Sequence, residues 1–209
     1  MSINGYIRVK NDIENEIFIE KSRFITYVKK TPLEEDAKEF IETIRKKHPF
    51  ATHNCYAYVT DGGKNARFSD DGEPQGTAGI PMLEVLKNRD LKDTAVVVTR
   101  YFGGIKLGAG GLVRAYSSSV SLALDKAGIE ENLLALIYSV TFGYDKYSLF
   151  LKFIENRKNK IISSYFNEDI TVKIAIPQTD SNFTEKLTDY FLGKVEIKCD
   201  GQTFVVFGD

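Results

Sequence analysis

Residues Val96 to Ser121 (VVVTRYFGGIKLGAGGLVRAYSSSVS) constrain the fold more than any other stretch. Val96, Val97, Val98 and Thr99 are apolar or β-branched and stop at Arg100, the pattern of a buried strand. Gly103, Gly104, Gly108, Gly110 and Gly111 follow, five glycines in nine residues. Leu112, Tyr116, Val120 and the Ala123–Leu124 pair then fall on one face of a helix. A strand, a glycine-rich loop and a helix in that order can offer backbone N–H groups and a helix N-terminus to an anion. Arg100, Lys106 and Arg114 bracket the loop with positive charge. Glycines also serve tight turns and close backbone packing, so a binding role and a packing role both stay open.

The loop is not a standard nucleotide cradle. Gly103 to Gly108 has the outer spacing of a phosphate-binding loop, but Ala109 and Gly110 stand where Lys and Ser or Thr are needed. Gly108-Ala109-Gly110 begins a dinucleotide fingerprint, but Val113 holds the position of its third glycine. Ser117, Ser118, Ser119 and Ser121 lie on the helix without a nucleophile elbow and read as packing residues.

A second polar stretch, Asp61 to Gly79 (DGGKNARFSDDGEPQGTAG), reads as a long loop. Loops beyond about 12–15 residues are usually functional or disordered, and Phe68 with mixed charges argues against a plain linker. Arg67, Asp70, Asp71 and Glu73 are its candidate site residues, with His53 at the entrance of the preceding strand as a possible acid or base. The carboxylate spacing matches no EF-hand, and His48 and His53 alone cannot make a three-ligand zinc site. No metal and no cofactor are expected. If the acidic loop folds back onto Arg100 and Arg114, those charges neutralise each other and the anion-site reading weakens.

The rest of the chain reads as ordinary elements. Glu16–Lys30 holds two strand-like runs joined near Lys21-Ser22, and the second has apolar residues on both faces. Thr31, Pro32 and Glu34 form a helix start with Thr31 as cap, and a helix runs to Lys47 before Pro49. Asn54–Thr60 is a strand, Ile80–Leu86 a short helix, and Gly128 closes the helix after the glycine loop. The polar Glu130-Glu131-Asn132 reads as a domain boundary, giving domains 1–131 and 132–209. Beyond it the pattern is β-α-β-β-α-β, the ferredoxin-like plan. The last strand lacks the basic residue and second aromatic of an RRM stacking motif.

Charge and cysteines narrow the function classes. Formal net charge is −1, so bulk electrostatic binding of nucleic acid is excluded and any anion site is a local patch. Cys55 and Cys199 are far apart and form no C-x-x-C or disulfide framework. No apolar run approaches about 18 residues, so no membrane span is expected. MSINGYIRVKND lacks the apolar core of a signal peptide, and a cytoplasmic protein is expected.

Three segments resemble the IMPACT/YigZ family. They are Arg100–Gly104 with Lys106–Leu112 and Arg114–Tyr116, then Phe68–Pro74 with Gly76–Gly79, then the weaker Lys21–Ile25. The two long motifs show no departure from the family pattern, and the resemblance extends over essentially the whole chain. It implies an α+β protein of two domains. The N-terminal one is an α/β sandwich similar to a ribosomal-protein domain and GHMP-type kinases. The C-terminal one is ferredoxin-like and similar to a domain of elongation factor G. Eukaryotic relatives regulate translation, while bacterial relatives have no settled activity. The family has no agreed catalytic residues, so none are carried over.

Two functional readings follow. In the first, a non-enzymatic protein binds RNA, the ribosome or a translation factor through Arg100, Lys106 and Arg114 and the Gly103–Gly111 backbone. In the second, an enzyme holds a small phosphorylated or carboxylated substrate on the loop, with His53, Asp70, Asp71 or Glu73 moving protons. A protein-interaction scaffold is a further alternative. Oligomeric state is open.

Overall fold

A computed structural model describes residues 5–207; residues 1–4 and 208–209, the outer ends of the two expected domains, lie outside the described residues. The described chain is α+β, with five α-helices and two sheets. Tyr6–Glu130 forms one compact unit, and the chain from Glu131 onward, with Gly5, forms another.

The first unit runs β1 (Gly5–Val9), β2 (Ile13–Ile19), β3 (Ser22–Lys30), α1 (Glu34–Lys47), β4 (His53–Thr60), β5 (Asn65–Ser69), α2 (Gly79–Asn88), β6 (Thr94–Tyr101) and α3 (Gly108–Ala127). Strands β2-β3-β6-β4-β5 form an antiparallel sheet with β6 at its centre. Both faces of that sheet are covered. Val96 and Val98 join Phe24, Cys55 and the α2 and α3 residues Met82, Leu86, Tyr116 and Val120 in one core. Ala95 and Val97 join Ile25, Tyr27 and the α1 residues Phe40, Ile41 and Ile44 in another. Burial on both sides explains why β6 is continuously apolar rather than alternating.

Three local expectations are corrected. The helix after Thr31 starts later, at Glu34, and Asp36 Oδ2 reaches back to accept from the Leu33 N–H at 3.0 Å. Thr31 Oγ1 is buried without a hydrogen bond, so it is not the cap. The stretch 61–79 is not one loop. Asp61–Gly63 makes a 3₁₀ turn, and Asn65–Ser69 becomes β5, paired with β4 from Tyr56↔Ser69 to Thr60↔Asn65. As an edge strand with exposed Arg67 and Phe68, β5 has too weak an alternation to read from sequence. The polar Glu130-Glu131-Asn132 is not a break but part of a strand. Glu130 is ion-paired to Arg8 at 2.6 Å and Lys30 at 3.3 Å, and Asn132 is buried.

That strand is β7 (Ile129–Phe142). The second unit continues through α4 (Tyr147–Ile154), β8 (Lys160–Phe166), β9 (Ile170–Pro177), α5 (Phe183–Tyr190) and β10 (Glu196–Val206). Its antiparallel pairings place β7 between β10 and β9, with β8 beyond β9. Val140, Phe142, Val172 and Ile174 bury one sheet face against Phe150, Ile154, Phe183 and Leu187 of the helices.

The loop between β6 and α3 is pinned to the β2–β3 hairpin. The Gly103 N–H donates to Ser22 Oγ at 3.2 Å, and a Cβ on Gly103 would overlap the Lys21 carbonyl. Here glycine answers close backbone approach. Gly103→Ala is expected to destabilise the protein by about 1–3 kcal/mol, as overpacking against rigid backbone does. Urea denaturation of the two proteins tests it.

Candidate functional site

Arg100 lies near the end of β6, opposite Phe24 on β3 and His53 on β4. It does not bracket the loop at the surface. Its residue is only 4% exposed, and Nη1 donates to Glu73 Oε1 at 2.6 Å in an ion pair buried on both sides. Nη2 donates to Ser22 Oγ at 3.3 Å, and the guanidinium sits 5.3 Å from the Phe24 ring centroid and 5.5 Å from that of Phe102. The acidic loop therefore does fold back onto Arg100. The physical reason is desolvation: a buried guanidinium needs a counter-charge, and Glu73 supplies it.

Glu73 Oε1 also accepts from the Tyr116 hydroxyl at 2.8 Å. Tyr116 comes from the buried face of α3, where burial pushes its phenol well above the usual range and keeps it a donor. The Cys55 thiol lies 3.3 Å from the Tyr116 oxygen and 3.0 Å from the Asp70 carbonyl. Burial pushes this thiol up as well, so it is not a ready nucleophile.

The remaining acids have separate tasks. Asp70 Oδ1 accepts the N–H groups of Ala78 and Gly79 at 3.0 and 2.8 Å, and Oδ2 that of Gly76 at 2.8 Å. Asp70 thus caps α2 from outside the helix. Asp71 accepts the Asn54 N–H at 2.6 Å and pairs with Arg45 at 3.1 Å. Its carbonyl is 2.8 Å from His53 Nδ1. A carbonyl only accepts, so Nδ1 carries the proton and neutral His53 presents a lone pair at Nε2. That Nε2 stands 3.8 Å from Glu73 Oε2, which accepts no hydrogen bond among the described residues. No group of three or more His, Cys, Asp or Glu is placed to hold a metal among the described residues.

Lys106 and Arg114 are different. Both are exposed, and neither makes an ion pair among the described residues. They flank the start of α3, where Leu107 provides no side-chain cap and Gly108, Ala109 and Gly110 are exposed. The first N–H groups of this 20-residue helix thus lack an internal partner. Gly110 has ordinary helical backbone, and a Cβ there would meet only Arg114 Nη1, at 3.6 Å. Nothing within the protein requires glycine at this position.

Two hollows adjoin that helix end. One of about 440 Å³ is lined by Thr52, His53, Glu73, Pro74, Arg100, Phe102, Lys106, Leu107, Gly108, Ala109 and Leu112. The other, about 400 Å³, is lined by Ile19 and Glu20 with Ile105, Lys106, Leu107, Gly111 and Arg114 among others. The structure thus gathers His53, Glu73, Arg100, Lys106 and Gly108 around the first, and Lys106, Gly111 and Arg114 around the second. Gly103 and Gly104 shape the loop, and Arg67, Asp70 and Asp71 line neither hollow. Tyr116, Ser22, Thr52 and Phe102 were not anticipated as site residues. A tyrosine on an otherwise small-residue helix face was the available signal, since its hydroxyl needs a partner once buried.

These features define an α+β protein with a glycine-rich strand–helix junction built over an internal Arg–Glu pair. Residues 20–124 match the Impact N-terminal domain. The chain is 46% identical over 204 residues to the IMPACT family member YvyE of Bacillus subtilis, covering 94% of this chain and 91% of that one. It is 37% identical over 183 residues to the IMPACT family member YigZ of Escherichia coli, covering 86% and 90% respectively. A solved structure, described as that of an hypothetical protein, superposes with a TM-score of 0.61 at 34% identity, covering 93% of this chain and 97% of its own. The chain belongs to the IMPACT family.

Glu73→Ala leaves Arg100 buried and unpaired and is expected to lower stability by about 3–5 kcal/mol. Arg114→Ala, at an exposed unpaired position, is expected to stay within about 0.5 kcal/mol. Chemical denaturation of both variants checks the contrast.

Proposed function

We propose that this protein is a non-enzymatic, translation-associated binding protein that contacts RNA, on the ribosome or free, through phosphates held at the head of α3. The observation that carries the reading is the bare first turn of α3 between two unpaired cations, Lys106 and Arg114. Backbone N–H groups and the helix dipole favour an anion there, and the two side chains add formal charge. Gly110 supports it further. Glycine in a helix is less stable than alanine by roughly 1 kcal/mol, and here no internal contact compensates. Close approach of a ligand to the backbone is the reason left.

Family membership supports a role near translation, because the resemblance that identified the family implies translation regulation for its eukaryotic members. In the same reading the β-α-β-β-α-β unit is a ferredoxin-like domain, and the first unit an α/β sandwich of the ribosomal-protein and GHMP-kinase kind. The enzymatic alternative draws on His53 and Glu73 facing each other across the first hollow. It lacks a nucleophile, because the neighbouring thiol and phenol are both buried with raised pKa values.

Co-sedimentation with ribosomes and with free RNA, at low and physiological salt, tests the proposal. Binding is expected to weaken with salt. In the Lys106→Ala, Arg114→Ala double variant the log–log salt slope is expected to fall by roughly 1.4 to 1.8, the value for two phosphate contacts. Gly110→Ala is expected to stabilise the fold by about 0.5–1 kcal/mol while weakening RNA binding, a combination that packing alone does not produce. Absence of binding at either salt contradicts the proposal.

A further inference from the structure

The hollow beside the α3 head is not explained by phosphate binding. At about 440 Å³ it is within the range of small-molecule sites and far larger than a phosphate group needs. Much of its wall is apolar, from Pro74, Phe102, Leu107 and Leu112. Phe102 is 47% exposed, and its ring is braced by the Arg100 guanidinium 5.5 Å from the centroid. A half-exposed aromatic ring fixed by a cation is a stacking platform.

The polar groups in the hollow select a particular chemistry. Glu73 has a side chain only 3% exposed, yet its Oε2 has no hydrogen bond among the described residues. His53 Nε2, the lone-pair nitrogen of the neutral ring, faces it at 3.8 Å. Two acceptors stand side by side with no donor. Arg100 already balances the Glu73 charge, so a further cation would sit against the guanidinium, and an anion would meet the carboxylate. The matching ligand group is a pair of neighbouring neutral donors.

From this we infer that the hollow receives one unstacked nucleotide of the bound RNA. Its base stacks on Phe102, and two adjacent donors reach Glu73 Oε2 and His53 Nε2. Guanine supplies such a pair as N1–H and the N2 amine, and ribose supplies one as vicinal hydroxyls. Lys106 lines both hollows, so the phosphate of the inserted nucleotide lies at the α3 head. The inference rests on the RNA-binding reading and adds the nucleotide pocket to it.

The test is calorimetric titration with guanosine, adenosine and 2′-deoxyguanosine 5′-monophosphates and with inorganic phosphate, on the wild type, Phe102→Ala and His53→Ala. These positions avoid the buried Arg100–Glu73 pair, and circular dichroism checks that both variants fold. The guanosine nucleotide is expected to bind more tightly than phosphate, and Phe102→Ala to weaken it by about tenfold. Base-edge recognition lowers affinity for the adenosine nucleotide, ribose recognition lowers it for the deoxy nucleotide, and His53→Ala removes the discrimination. Absence of nucleotide binding, or equal binding of all three nucleotides, overturns the inference even when RNA co-sedimentation persists. Loss of co-sedimentation by the wild type instead overturns the underlying RNA reading.

Discussion

The buried pair of Arg100 and Glu73 organises the first unit of this protein. It ties the end of the central strand β6 to the acidic loop, and through Tyr116 it ties that loop to α3. Ser22 joins the β2–β3 hairpin to the same guanidinium and to the Gly103 N–H. Four separate segments of chain therefore meet at one charge pair. Such a pair is weak as a net source of stability but severe when broken, because each partner alone is a desolvated charge. The arrangement is better understood as fixing where the loops lie than as holding the sheet together.

That placement explains how one conserved-looking set of charges divides into two kinds. Arg100, Glu73, Asp70 and Asp71 turn inward and build the site. Lys106 and Arg114 are left outside, where a ligand can meet them. The glycines divide in the same way. Gly103 answers the approach of the Lys21 carbonyl, and Gly104 and Gly108 adopt positive φ of 87° and 69°. Gly110 has no such internal reason. A motif rich in charge and glycine is thus partly scaffold and partly surface, and only the coordinates separate the parts.

Much of the fold was legible because its elements carry strong local signals. The apolar run Val96–Thr99 lies inside β6, Gly128 closes α3, and each element of the second unit appears in the expected order. What was not legible follows from tertiary contacts. The strand β5 is half exposed and polar, so its alternation is weak. The start of β7 is charged because Glu130 meets Arg8 and Lys30, and pairing with charges distant in sequence leaves no local signal. At the site, the glycine loop and its cations were visible as a motif. The inward turn of Arg100 was not, because it depends on Glu73, 27 residues away. Tyr116 read as a core residue, and its hydroxyl gained a role only when Glu73 arrived beside it.

The most direct test of the account is to follow the backbone amide resonances of Gly108 to Gly111 while an RNA oligonucleotide is titrated into the protein. If the head of α3 holds phosphate, these N–H signals move downfield early and saturate together, and the Lys106→Ala, Arg114→Ala variant needs more RNA for the same change. If they stay fixed while resonances elsewhere move, the protein binds RNA through another surface, and the α3 head is not its anion site.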